Sequence, residues 1–165
     1  QKVLKTIKIG RYPRGIAISN DSMRAYVAEM GGNRIHVINL EDFTVTYIPI
    51  GSNPRAIVLS PDNTKMYVTM NLSGKVASWD LSANKAGKSV KTGEAARSLA
   101  ISSDGSTMFV VNFKSNTMSK VRTRDMKVLE TIKACNEPIG VTYDAPTGNT
   151  WVACYKGQIK IYSNN

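Results

Sequence analysis

The sequence has little of the chemistry that enzymes and metal sites need. It holds one histidine, His36, and two cysteines, Cys135 and Cys154, in 165 residues. One histidine does not supply the partners that a catalytic triad or a histidine-based metal site requires. Motifs for covalent haem, nucleotide phosphates, a nucleophile elbow and an EF-hand are absent as well. We therefore expect no catalytic residue, no metal and no cofactor in this chain, and His36 is expected to be a structural strand residue.

Long apolar runs and acidic residues are also scarce. No stretch of about 18 apolar residues exists, so no transmembrane segment is expected. Residues 1–8 contain three lysines and no apolar segment, so no signal peptide is expected there. The chain has only 12 acidic residues but 22 lysines and arginines, which gives a net charge of +10. This charge favours anionic partners, although lysines scattered along the chain equally describe a solvated surface. Nucleic acid is not expected, because basic and aromatic residues are not interleaved.

What the sequence does have is an internal repeat. Similar segments begin at residues 10, 51, 93 and 135, which are 41, 42 and 42 residues apart. A second match follows 15 residues later in each unit. The first segments read GRYPRGIAISND, GSNPRAIVLSPD, GEAARSLAISSD and CNEPIGVTYDAP, and the second ones AYVAEM, MYVTMN, MFVVNF and TWVACY.

Each unit predicts four short strands separated by turns rich in Ser, Asn, Asp and Gly. Four strands per unit of roughly 40 residues are typical of a β-propeller blade. The sequence thus predicts one all-β domain over residues 1–165, a propeller of four antiparallel four-stranded blades at about 10–50, 51–92, 93–134 and 135–165. Residues 1–9 resemble KVLETIKAC at Lys127, so they are predicted to be the outer strand of the last blade.

Three closures fit these repeats. The four blades could form a closed ring, two chains could form an eight-bladed ring, or the chain could be half of a larger propeller. Propellers in general have about four to eight blades. We favour completion by further blades, either in the same parent chain or in a partner such as a second copy.

The repeat IPIGSNPRAIVLSPDNTKMYVTMN and its three counterparts resemble the YVTN family of β-propeller repeats over essentially the whole chain. The resemblance implies a bacterial or archaeal protein that is periplasmic, secreted or on the cell surface. It implies little about activity, because the family includes surface-layer, lactonase-like and cytochrome-associated propellers.

Arginine recurs at one repeat position. Arg14, Arg55 and Arg97 lie at the start of the innermost strand in three units, and Ile139 holds this position in the fourth. Successive blades would bring these guanidinium groups to one mouth of the central channel, where they could bind a carboxylate or phosphate. The alternative is that each arginine pairs locally with an acid or stacks on the next blade.

Three further sets of residues recur or pair up in the repeats. Cys135 and Cys154 share the last blade, and they form either a disulfide or two free thiols; counting back from the turn places Cys154 opposite about Ile139. The other two sets are expected to be structural, as hairpin-turn acids and as packing between blades. They are Asp21, Asp62 and Asp104, and Tyr26, Tyr67, Phe109 and Trp151.

The last position of the YVTN match carries a different residue in every blade, as either a recognition surface or a neutral loop would. These residues are Glu29, Met70, Asn112 and Cys154.

The function favoured is a non-catalytic binding or scaffold propeller outside the cytoplasm. Its expected partner is a protein, an anionic glycan or an anionic small molecule. The alternative is part of a propeller enzyme, a lactonase-like hydrolase or a cofactor-dependent oxidoreductase, whose catalytic residues lie in further blades.

Overall fold

Four antiparallel sheets follow one another along the chain, each formed by consecutive strands. The computed structural model describes residues 1–163, and all of their regular elements are strands. Blade 1 contains β1 (Pro13–Ile18), β2 (Arg24–Glu29), β3 (Arg34–Asn39) and β4 (Val45–Pro49). Blade 2 contains β5 (Pro54–Leu59), β6 (Lys65–Met70), β7 (Lys75–Asp80) and β8 (Lys85–Lys91). Blade 3 contains β9 (Ala96–Ile101), β10 (Thr107–Asn112), β11 (Thr117–Arg122) and β12 (Lys127–Lys133). Blade 4 contains β13 (Pro138–Asp144), β14 (Asn149–Cys154) and β15 (Gln158–Tyr162). The chain is a four-bladed β-propeller array, as predicted.

The N-terminal segment differs from the prediction. Residues 1–9 form no strand, and the last blade has three strands instead of four. Ile7 and Ile9 pack instead against a small cluster on blade 1 that includes Val27 and Ile38. Within residues 1–163 no neighbouring blade covers that face of blade 1, so the segment buries its apolar side chains there. The predicted outer strand of blade 4 is therefore wrong for the isolated chain.

Apolar clusters join each blade to the next. The first combines Tyr26 and Ile35 of blade 1 with Ile57 of blade 2. The second and third join blade 2 to blade 3 and blade 3 to blade 4 in the same way. Tyr26, Tyr67 and Phe109 are buried in these clusters, which confirms the predicted packing between blades for these three residues. Trp151 is 38% exposed, because no blade follows blade 4 within residues 1–163, so the prediction is wrong for this residue.

The array is open within this chain. The innermost strands pack in the order β1 on β5, β5 on β9 and β9 on β13. No comparable packing joins β13–β15 to β1–β4 within residues 1–163. A closed four-bladed ring, one of the predicted alternatives, is therefore not the arrangement found.

Each first hairpin turn in blades 1 to 3 is held by a serine and an aspartate. In blade 3 the Ser102 hydroxyl donates to Asp104 Oδ1 at 2.5 Å, and the Ser106 backbone N–H donates to the same oxygen at 3.0 Å. These bonds stabilise the carboxylate and lower the pKa of Asp104 to about 2. Asp21 and Asp62 make the equivalent bonds in their blades, which confirms the structural role predicted for the three acids.

Candidate functional site

The start of every innermost strand has the same backbone geometry. The residue just before the strand is left-handed, with φ of 55° at Tyr12, Ala95 and Glu137 and 56° at Asn53. Its carbonyl accepts a hydrogen bond from the backbone N–H of the residue that follows the second strand of the same blade. These bonds are Met30 to Tyr12 at 3.1 Å, and Asn71 to Asn53, Phe113 to Ala95 and Tyr155 to Glu137 at 3.0 Å each. The bond ties the beginning of one strand to the end of its neighbour.

Two residues after this left-handed position lie the predicted arginines. Arg14, Arg55 and Arg97 are each the second residue of β1, β5 and β9, the three innermost strands that pack on one another in order. We call these three residues the arginine cluster. Ile139 takes the equivalent place in β13.

The charges of the arginine cluster act on one another. Burial, followed by the charges of Arg97 and Arg14, lowers the pKa of Arg55 from its usual value. Burial and the charge of Arg14 likewise lower the pKa of Arg97, although Tyr155 and Glu137 partly oppose this. Arginine still stays protonated at neutral pH. Three positive groups from three blades therefore share one electrostatic neighbourhood.

Soft and aromatic groups, not acids, contact the cluster. Arg55 Nη1 lies 3.1 Å from Met30 Sδ, and Arg97 Cζ lies 4.4 Å from the ring centroid of Phe113. The rings of Phe113 and Tyr155 pack edge to face, with their centroids 6.4 Å apart. Within residues 1–163 no arginine of the cluster forms an ion pair, since the ion pairs there are Arg34 and His36 with Glu29, and Arg122 with Asp125. Their charge-assisted donors are therefore not used by a protein carboxylate.

The neighbours of the arginines were missed by reading the sequence alone. The sequence offered the last position of the YVTN match as a possible recognition surface, but in the structure three of its four residues are buried. Met70, Asn112 and Cys154 are buried, and Glu29 is bound to His36. Both alternatives predicted for this position, a recognition surface and a neutral loop, are therefore wrong, because its residues are the last ones of β2, β6, β10 and β14. At the next position along, Met30, Asn71 and Phe113 contact the arginine-bearing strands. Tyr155 holds this position in blade 4 and contacts the ring of Phe113. Side chains at successive strand positions point to opposite faces. The sequence therefore indicated that, if the last YVTN position points inward, the residue after it points to the other face.

The two cysteines lie in blade 4, with Cys135 before β13 and Cys154 at the end of β14. Their sulfur atoms are joined as a disulfide, with the Cα atoms 6.0 Å apart, and both residues are buried in the cluster between blades 3 and 4. Cys154 pairs with Pro138, not with the predicted Ile139. A bulge between Pro138 and Gly140 shifts the register by one residue, so the residue opposite Cys154 is three positions from Cys135 instead of the predicted four.

His36 lies in β3 and has a local partner. Its Nε2 is 2.9 Å from Glu29 Oε2, and Arg34 Nε is 3.6 Å from the same oxygen. The backbone N–H of Arg11 donates to Glu29 Oε1 at 3.1 Å. The bond to His36 is the main cause of the lowered pKa of Glu29. The histidine is thus a blade residue, as predicted, and residues 1–163 contain no group of three or more His, Cys, Asp and Glu side chains placed to hold a metal.

Comparison with known proteins supports the fold. The chain matches no protein-family model, and no curated protein is significantly similar to it. Hydrazine synthase of Kuenenia stuttgartiensis superposes with a TM-score of 0.87 at 19% identity, over 99% of this chain and 49% of that one. A protein of Bacteroides uniformis provisionally described as a 6-phosphogluconolactonase gives 0.81 at 16% identity, over 93% and 51%. Virginiamycin B lyase of Staphylococcus aureus gives 0.73 at 17% identity, over 92% and 55%.

These similarities show the fold alone. The chain spans about half the length of the structures it matches. In the part of the chain that the structure describes, no helix is long and apolar enough to cross a membrane.

Proposed function

We propose that this chain is a non-catalytic binding module that holds an anionic group at the arginine cluster. The observation that carries the proposal is the shared neighbourhood of Arg14, Arg55 and Arg97. The charge of Arg14 helps to lower the pKa of both Arg55 and Arg97, and none of the three has a carboxylate partner in residues 1–163. We further propose that the repeats are of the YVTN type, on the motifs described above.

The chemistry of the cluster selects carboxylate or phosphate. A guanidinium group offers planar donor pairs that match two oxygens of such an anion. Three like charges repel one another, so a bound anion would remove that repulsion as well as form hydrogen bonds. The net charge of +10 draws anionic molecules toward the surface before they dock. Acidic glycans, anionic metabolites and acidic protein segments all carry these groups.

Phe113 and Met30 prepare the arginines for this role. Stacking on an aromatic face orients a guanidinium while leaving its edge donors available. The sulfur of Met30 is a weak acceptor, so it holds Arg55 without competing with an oxygen anion. We propose that the module works outside the cytoplasm, which the Cys135–Cys154 disulfide supports.

Calorimetric titration with pyrophosphate and with citrate, at low ionic strength, tests the proposal. The triple variant Arg14→Ala, Arg55→Ala, Arg97→Ala should lose binding by at least about tenfold, because one charge-assisted hydrogen bond contributes about 1.5–3 kcal/mol. The single variant Arg55→Lys keeps the charge but loses the planar fork, so it should bind more weakly than the unaltered protein.

A charge-matched control separates a site from a general field. The variant Lys85→Ala, Lys88→Ala, Lys127→Ala removes three positive charges from exposed outer-strand positions. It should retain the affinity within a few-fold. If both triple variants weaken binding equally, or if neither does, the arginine cluster is not the binding site.

A further inference from the structure

The first face of the array exposes side chains that are buried at every internal junction. Ile16 is 63% exposed, whereas Ile57 and Leu99, which hold its repeat position in blades 2 and 3, are 7% and 5% exposed. Ile57 packs against blade 1 and Leu99 against blade 2. Ile16, and Ile18 beside it in β1, therefore face the place of a preceding blade.

The last face is its counterpart. Trp151 is 38% exposed, but the aromatic residues at its position in blades 1 to 3 are all buried against the following blade. Ile159 is 68% exposed, whereas the equivalent Ile35 and Val76 are fully buried. Blade 4 thus presents the surface that blades 1, 2 and 3 each use to hold their successor.

A strand is also missing at the outer edge of blade 4. In blade 3, β12 has the sequence KVLETIK and pairs with β11, but among the described residues, 1–163, no strand pairs with the outer edge of β15. Residues 2–8 read KVLKTIK. They end five positions before Pro13 of β1, as Lys133 ends five positions before Pro138 of β13. Sequence and spacing are those of an outer strand that leads into the next blade.

We propose that two copies of this chain close into an eight-bladed ring, with residues 2–8 of each copy paired to β15 of the other. Ile16 and Ile18 of one copy then pack on Trp151 and Ile159 of its partner, which repeats the chemistry of the three internal junctions. The two junctions are identical and related by a two-fold axis, so the assembly closes.

The occupant is a second copy because this chain supplies both faces and the missing strand. This chain covers about half of each matched structure, and two copies together have about the length of one such structure. Ile7 and Ile9 leave the blade 1 cluster when the partner's blade takes their place. The packing of Ile7 and Ile9 on blade 1 is then replaced by a junction between blades that buries Ile16 and Trp151, and we expect this junction to bury more apolar surface.

Light scattering coupled to size exclusion measures the assembly. The unaltered chain should run at twice its 18.0 kDa mass. Ile16→Asp should run as a monomer with an unchanged far-UV spectrum, because a carboxylate cannot be buried unpaired at the junction. The control Leu72→Lys alters an equally exposed apolar residue outside both faces and should stay dimeric. A chain that runs only as a monomer, or that grows beyond a dimer, overturns the proposal.

A cross-link tests the strand exchange without relying on a destabilising change. In blade 3 the outer pair is Ser119 with Thr131, and Lys160 and Thr6 hold these positions in β15 and the N-terminal segment. The variant Thr6→Cys, Lys160→Cys should give a disulfide-linked dimer on a non-reducing gel. The mismatched variant Thr6→Cys, Lys156→Cys should not. If the matched variant gives no linked dimer, or if both link equally, the strand pairing is refuted.

Discussion

Asn112 is the last residue of β10, and its truncation should be one of the most damaging polar substitutions in the chain. The side chain is fully buried. Its amide accepts from the Thr92 hydroxyl at 2.9 Å and donates to the Thr117 and Ser119 hydroxyls at 3.1 Å each. A longer bond reaches the Thr92 carbonyl at 3.4 Å. One amide thus joins the loop before β9 to β10 and β11.

The expected loss in Asn112→Ala follows from these contacts. Three bonds of good length, at a net contribution of about 1 kcal/mol each, give about 3 kcal/mol of unfolding free energy. The Thr92 hydroxyl is left with only a 3.4 Å contact to the Gly74 carbonyl, so part of this loss is its own desolvation. With an m-value of about 2 kcal/mol/M, the urea midpoint should fall by about 1.5 M.

Equilibrium urea unfolding, followed by circular dichroism, measures the change. Asn71→Ala is a graded control, because its amide makes a single recorded bond, to the Ala96 carbonyl at 3.2 Å, and should cost about 1 kcal/mol. In a double-mutant cycle with Thr92→Val, the paired change should cost less than the sum of the single ones by more than about 0.5 kcal/mol. A loss in Asn112→Ala no larger than that in Asn71→Ala, or an additive cycle, would refute the network reasoning.

Two further outcomes are expected. Non-reducing mass spectrometry should find no free thiol at Cys135 or Cys154, and two alkylated thiols without reduction would contradict this. Reduction should lower the unfolding free energy by about 3 kcal/mol, because the disulfide closes a loop with a sequence separation of 19. The lowered pKa of Asp104 stabilises the folded state above its ordinary pKa of 3.8, and this contribution disappears as the pH falls from there to about 2. Asp104→Asn should therefore be less stable than the unaltered chain at pH 5, with the difference shrinking at pH 3 in urea titrations; a difference that does not change with pH would show that the carboxylate charge is not responsible.

The blade repeat was predictable from sequence because its signals are local. Alternating apolar residues and Ser-Asp turns recur at fixed spacing, and each strand pairs with the next along the chain. The Asp104 turn needs only residues within a few positions, so its role followed from the sequence alone.

Features that depend on neighbouring blades were not predictable in this way. The position of Ile7 and Ile9 depends on which surface is left open, and this follows from the assembled array. The contact of Met30 with Arg55 crosses from one blade to the next, so no local pattern records it. The pairing of Cys154 was displaced by one residue, because a bulge adds a residue that counting from the turn does not detect.

The left-handed position before each innermost strand has a consequence for how such a surface could be altered. Tyr, Asn, Ala and Glu occupy it in the four blades with nearly the same φ, and all four carbonyls accept the same hydrogen bond. The same backbone conformation and hydrogen bond therefore form with four different side chains at this position. A set of loops with one shape and freely exchangeable side chains is the property sought in binding scaffolds for library selection. These four positions could be randomised, and asparagine or glycine there should lower the conformational cost of the left-handed backbone.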